Sequence, residues 1–331
     1  MRLNSLPRVR LGTLPTPLHE LPRLSALLGG PRIFIKRDDH TGLAFGGNKT
    51  RMLEYLVGDA LAQGATHLIT EGGPQSNHVC QTLAAGRIHG LEVVIVQNPI
   101  DPAPAVQGNF LLDRLLDIDY VQVDSEPARA AKMRAIAAEL EAQGARPYII
   151  PGGGSNEVGA VGYVTAMLEL NRQIWELGLN PRSLFFASGG GGTQAGIALG
   201  AALFNSPFQA VGIAIEDDGA TVADRAWAII ERTAARLGIE PPLSRPDLVC
   251  RDGHVGPGYA IPTEECIEAI RLLARTEAIF LEPIYTAKAF AGMLAAIERG
   301  DYTKDDQIIF LHTGGTPVLF ALTGQLEAAI G

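Results

Sequence analysis

The chain has 331 residues, 47% apolar and 19% charged, enough to bury one large core or two smaller ones. A net charge of −9 argues against a general nucleic-acid or anionic-membrane partner. Three cysteines without CxxC spacing (Cys80, Cys250, Cys266) read as free thiols of a reducing, cytoplasmic compartment. The N-terminal stretch has prolines and no apolar core of a signal peptide, and no uncharged apolar run is long enough to span a membrane.

Short β-branched or apolar runs predict strands at IFIKR (33–37), THLIT (66–70), VVIVQ (93–97), YVQV (120–123), PYIIP (147–151), SLFFAS (183–188), AVGIAI (210–215) and IIFLH (308–312). Between them, helical patterns cover Thr50–Gln63, Asn77–His89, Pro127–Gln143, Val158–Leu177, Thr193–Phe204, Thr221–Leu237, Pro262–Thr276, Thr286–Arg299 and Pro317–Ile330. Strand and helix in alternation predict an α/β fold with open, mostly parallel sheets flanked by helices. Eight strands suit two sheets better than one. The expected division is a large domain, 1–49 with 161–331, and a smaller inserted domain, 50–160. Ligands of such sheets bind at the carboxyl ends of strands, here the loops 71–77, 151–157, 188–193 and 312–316.

Only five lysines occur: 36, 49, 132, 288 and 304. Lys49 stands in GLAFGGNKTRMLEYL (42–56), where a glycine loop becomes a helix. The positive end of the helix dipole disfavours a plain cation there, which points to chemistry. GGNKT is not a nucleotide P-loop, because Asn48 separates the glycine from the lysine.

SLFFASGGGGTQAGIALGAAL (183–203) is a strand, a four-glycine turn and a helix, the pattern of a phosphate cradle, with Thr193 as a hydroxyl donor. Gly190–Ala195 also fits the G-x-G-x-x-A dinucleotide fingerprint, with Glu216 as a ribose acid, although Glu216 lies 26 residues past Gly190. A nicotinamide oxidoreductase therefore stays open at this level. In EGGPQSNHVCQT (71–82), Ser76 and Asn77 read equally as helix caps or as a carboxylate site. Tyr259 and Tyr285 each sit at a loop-to-helix junction, and HTGGTP (312–317) closes a strand with a further helix start. Histidines 78, 254 and 312 are too scattered for a metal site.

Taken together, FGGNKTRMLEYL, GGPQSNH, SGGGGTQAG, GPGY, EPIYTAKA and HTGG follow the order seen in pyridoxal-phosphate enzymes of the tryptophan-synthase β fold. More narrowly, the chain resembles the 1-aminocyclopropane-1-carboxylate (ACC) deaminase / D-cysteine desulfhydrase family, from about residue 7 to the C-terminus. The resemblance implies a homodimeric lyase acting on a small amino acid. It implies that Lys49 holds pyridoxal 5'-phosphate as a Schiff base and, once freed by substrate, moves the Cα proton. Gly189, Gly190, Gly191, Gly192 and Thr193 resemble the phosphate loop. Asn48, Asn77, Thr286 and Thr313 complete the implied cofactor contacts, Asn77 at the ring hydroxyl and Thr313 near the ring nitrogen. Ser76, Tyr259 and Tyr285 resemble catalytic groups, and with Asn77 and His78 they form the implied substrate site. ACC deaminases carry glutamate where Thr286 stands. A hydroxyl there makes the ring a weaker electron sink, which favours β-elimination, D-cysteine to pyruvate, ammonia and hydrogen sulfide, over cyclopropane opening. ACC deamination and L-cysteate desulfonation are the alternatives on the same scaffold. Cys80 stands where relatives commonly have arginine.

Overall fold

The computed structural model describes residues 1–99, 104–118 and 120–330. Among these residues ten strands form two sheets. The chain runs β1 (Leu18–Glu20), α1 (Pro22–Leu28), β2 (Arg32–Arg37), α2 (Asn48–Ala62), β3 (His67–Glu71), α3 (Asn77–His89) and β4 (Glu92–Gln97). It continues with α4 (Gly108–Leu115), β5 (Tyr120–Gln122), α5 (Glu126–Ala142), β6 (Pro147–Ile149), α6 (Val161–Glu176), β7 (Ser183–Ser188), α7 (Gly192–Leu203) and β8 (Gln209–Ala214). The last part holds α8 (Gly219–Leu237), β9 (Val249–Arg251), α9 (Glu264–Glu277), α10 (Thr286–Glu298), β10 (Gln307–His312), α11 (Thr316–Leu319) and α12 (Thr323–Ile330).

The larger sheet has the order β1-β2-β10-β7-β8-β9, parallel except for β1, which pairs antiparallel with β2. The smaller has the order β5-β4-β3-β6, parallel throughout. The α/β expectation with two mostly parallel sheets holds. β1, β9, α1 and α4 are additional to the predicted elements, and the helix predicted over 317–330 is two short helices.

Alternate residues of each central strand face opposite layers, and both layers are apolar. Leu184, Phe186, Ile309 and Leu311 pack with α2, α6 and α7. Ile33, Ile35, Phe185, Ile308 and Phe310 pack with α1, α9 and α10. The smaller sheet is covered by Met133 and Ile136 of α5 on one side and by Val79 and Leu83 of α3 on the other. Among the described residues no helix is long and apolar enough to cross a membrane.

A buried ion network fixes α2 against this frame. Arg51 donates to both oxygens of Asp38, at 2.7 and 2.8 Å, and to Glu169 of α6. Asp38 also accepts from Thr16 and Tyr163. Lys36 reaches Glu169 from β2. Helix α6 lies so close that a Cβ on Gly162 would stand 2.2 Å from the Arg51 carbonyl oxygen. Burial alone would raise the Asp38 pKa, but Arg51, Lys36 and Tyr163 hold it down to about 2. A depressed carboxylate pKa contributes stability at neutral pH that is lost as pH falls through it. Asp38→Asn is expected to cost up to about 3–5 kcal/mol at neutral pH, because it removes one of the two carboxylates that pair with the buried Arg51 and leaves only Glu169. Urea unfolding of both proteins checks this. The gap should narrow as pH falls from about 4 towards 2.

Candidate active site

Carboxyl ends of strands from both sheets open onto one cavity of about 700 Å³. Its wall contains Asn48, Lys49, Ser76, Asn77, His78, the glycine loop 189–192, Thr193, Tyr259, Tyr285 and Thr313. Every site residue named from the sequence except Thr286 therefore lines one space.

Lys49 enters in the first turn of α2. Gly47 precedes it with φ +132°, a conformation open to glycine, and pairs across to Gly314. Asn48 is tied down twice. Its backbone N–H donates to the Thr313 carbonyl at 2.9 Å, and its side chain donates to Thr193 Oγ1 at 3.0 Å. The lysine is thus held beside the glycine loop. Its Nζ donates to the Gly153 carbonyl at 2.9 Å. No carboxylate forms an ion pair with it among the described residues. Burial, opposed by the charge of Glu216, pulls its pKa down to about 8.

The glycine loop runs from the end of β7 into α7. Gly191 is the N-cap at φ +82°, with no side chain capping the first N–H groups. A Cβ on Gly190 would lie 2.9 Å from Ser155 Oγ, and one on Gly192 2.8 Å from Ser155 Cα. Glycine is required because the Ser155 segment crowds the loop. A bare helix N-terminus with the Thr193 hydroxyl is a donor set for a phosphate.

At the other wall, Ser76 caps α3 by accepting from Val79 N–H at 3.3 Å and also lines the cavity. Asn109 of α4 donates to the Asn77 amide oxygen at 2.7 Å and leaves the Asn77 N–H₂ as that side chain's donor to the cavity. His78 is buried. The hydroxyl of Thr70 donates to the Ile150 carbonyl, so at 2.9 Å it accepts from His78 Nε2–H. That assigns the neutral tautomer with a bare Nδ1, which has no hydrogen-bond partner. Burial and the Lys49 charge push its pKa down to about 3. His78 is therefore not a cation for a substrate carboxylate.

The hydroxyls of Tyr259 and Tyr285 touch, with ring centroids 6.0 Å apart. Burial raises both pKa values, and each phenol holds its proton at neutral pH. Thr313 lines the cavity with a hydroxyl that makes no hydrogen bond within the described protein.

Thr286 is the correction. It is fully buried outside the cavity wall. Its hydroxyl lies 3.1 Å from Glu282 Oε1 and accepts from the Glu282 N–H. It follows Tyr285 in sequence, but as the first residue of α10 it turns inward. The Glu282 carboxylate is itself taken up by the N–H groups of Ile284, Tyr285 and Thr286.

Sequence reading missed the Gly153 carbonyl, Ser155, Asn109 and Glu282. It also missed that Glu71, Glu126, Arg129 and Arg225 line the cavity. Glu216, read as a ribose acid, faces the same cavity and acts electrostatically on Lys49.

The family model of the pyridoxal-phosphate dependent enzymes matches residues 9–314. This chain belongs to that family. The finding replaces the dinucleotide reading of the glycine loop. A D-cysteine desulfhydrase of Salmonella paratyphi C (strain RKS4594) is 41% identical over 324 residues, 96% of this chain and 97% of the relative. A solved ACC deaminase homologue superposes with a TM-score of 0.90 at 35% identity, over 98% of this chain and 97% of that one. Threonine deaminase isoform 2 of Solanum lycopersicum shares the fold, with a TM-score of 0.67 at 19% identity over 99% of this chain and 85% of that one. The cofactor is pyridoxal phosphate. The residues present fit it: an amine of lowered pKa, uncapped N–H groups beside it and a free hydroxyl at Thr313.

In cofactor-free protein, reductive methylation of Lys49 should be half-maximal near pH 8. Exposed lysines should follow at about pH 10. Peptide mass mapping over pH reads this, and a Lys49 profile centred at the ordinary lysine pH would contradict the lowered pKa.

Proposed function

We propose that this chain is a D-cysteine desulfhydrase, converting D-cysteine and water to pyruvate, ammonia and hydrogen sulfide. The observation that carries it is a lysine of lowered pKa sharing one cavity with a tyrosine pair, in a chain 41% identical to a D-cysteine desulfhydrase over nearly its full length.

Lys49 is the amine that would hold the cofactor. Gly189–Thr193 would take its phosphate, Asn77 its ring hydroxyl and Thr313 its ring nitrogen. Bound, pyridoxal phosphate supplies the electron sink that makes an α-proton acidic and lets a β-substituent depart. The protein supplies the rest. The start of α3, with Ser76 and Asn77, offers N–H and side-chain donors to the substrate carboxylate. Lys49, with its pKa near 8, is suited to take the α-proton at mildly basic pH. The tyrosine pair keeps its protons and is suited to donate one to the departing sulfur. With Glu282 occupied by backbone N–H groups and Thr286 turned away, neither offers a carboxylate to the ring nitrogen. That supports elimination of a good leaving group over cyclopropane opening.

The second reading is ACC deamination, favoured by the likeness to the ACC deaminase homologue. The two differ in product. D-cysteine is expected to give pyruvate and sulfide in equal amounts, and ACC no 2-oxobutyrate. 2-Oxobutyrate from ACC with no sulfide from D-cysteine would transfer the function.

We further read the chain as two domains divided at 49/50 and 160/161, supported by the separation of the two sheets, and as a cytoplasmic enzyme, supported by three unpaired cysteines. A homodimer is supported by the face of α6, where Trp175 is 81% exposed and Leu168, two turns earlier, 52%. Sedimentation should give twice the chain mass, and a monomer would contradict it.

A further inference from the structure

Beside the cavity lies a lysine that the chemistry above does not use. Lys288 of α10 is fully buried. Its Nζ donates to the carbonyls of Val255 at 2.6 Å and Gly258 at 3.1 Å. No carboxylate forms an ion pair with it among the described residues. An apolar side chain of similar length would fill the space without the penalty of burying an ammonium. The charge therefore needs a purpose other than packing.

The two carbonyls supply one. They belong to the turn that ends at Tyr259. Residues 252–263 contain no helix or strand, so no ladder of backbone hydrogen bonds holds this tyrosine in place. Tyr259 is 47% exposed, yet its hydroxyl meets that of Tyr285. Tyr285 is held from the same segment, its N–H bound by buried Glu282 at 2.9 Å. The seven residues from Glu282 to Lys288 thus grip both tyrosine-bearing backbones from behind.

We propose that Lys288 is a positioning residue for Tyr259, acting through the carbonyls of Val255 and Gly258 to hold the phenol against Tyr285. This rests on the reading that Tyr259 serves the elimination. Holoenzyme variants are compared with D-cysteine as substrate. Lys288→Met should lower kcat by about 10- to 100-fold, the scale of a displaced catalytic group. The cofactor's absorption band should keep its position and intensity. Lys288→Arg, which keeps the donors, should recover most of the loss. In a Tyr259→Phe background Lys288→Met should cost less than about threefold more, because the phenol it positions is already gone. A full kcat in Lys288→Met overturns the proposal. So does a loss that is undiminished in Tyr259→Phe, which leaves the role of Tyr259 standing. An unchanged kcat in Tyr259→Phe alone instead overturns the reading of the tyrosine. Where Lys288→Met does not fold, Lys288→Gln carries the same comparison.

Discussion

Arg51 stands two residues after Lys49 and meets Asp38 where neither touches water. Glu169, Lys36, Thr16 and Tyr163 close the network around them. Three separate parts of the chain, β2, α2 and α6, are joined at this point. A buried network of this kind is weak evidence for stability, because replacing the charges with apolar groups is often neutral. Its value here is geometric. The first turn of α2 cannot shift without unpairing a charge, so the lysine on that turn is delivered to one place.

That placement explains how one site keeps an amine and two phenols in different protonation states. Lys49 is removed from water and given a carbonyl rather than a carboxylate, so its charged form is disfavoured. The tyrosine hydroxyls are desolvated where they meet, although Tyr259 as a residue is half-exposed, and this disfavours the anion. The same physical cause thus leaves a base poised near neutral pH and two acids well above it. The acids around the site are dealt with individually. Glu282 is covered by backbone N–H groups, while Arg129 stands within 4 Å of Glu71 and Glu126.

Much of this was legible in the sequence because the chemistry sits on strong local signals. β7 and α3 lie where their patterns put them, since buried parallel strands and capped helices write continuous runs. Ser76, Asn77 and the four glycines gather because each ends or begins such a run. The elements that escaped are short. β1 and β9 have three residues each, too few for periodicity, and are held by neighbours the sequence does not reveal. α4 is only eight residues long, opens on a glycine, and carries Asn109, whose partner Asn77 is distant in sequence. The Gly153 carbonyl has no side-chain signature at all. Thr286 was misjudged because adjacency in sequence is not adjacency in space at a helix start. Lys288 looked like one more lysine on a helix until its carbonyl partners were known.

The central claim is that Lys49 is the residue on which cofactor and chemistry both depend. The direct measurement is the absorption spectrum of purified Lys49→Ala beside the parent, before and after D-cysteine, with sulfide followed in the same cuvette. The parent should carry a Schiff-base band that shifts on D-cysteine and releases sulfide. The variant should lack the covalent band and release none. A variant that keeps both the bound chromophore and sulfide release would show that another amine does the work.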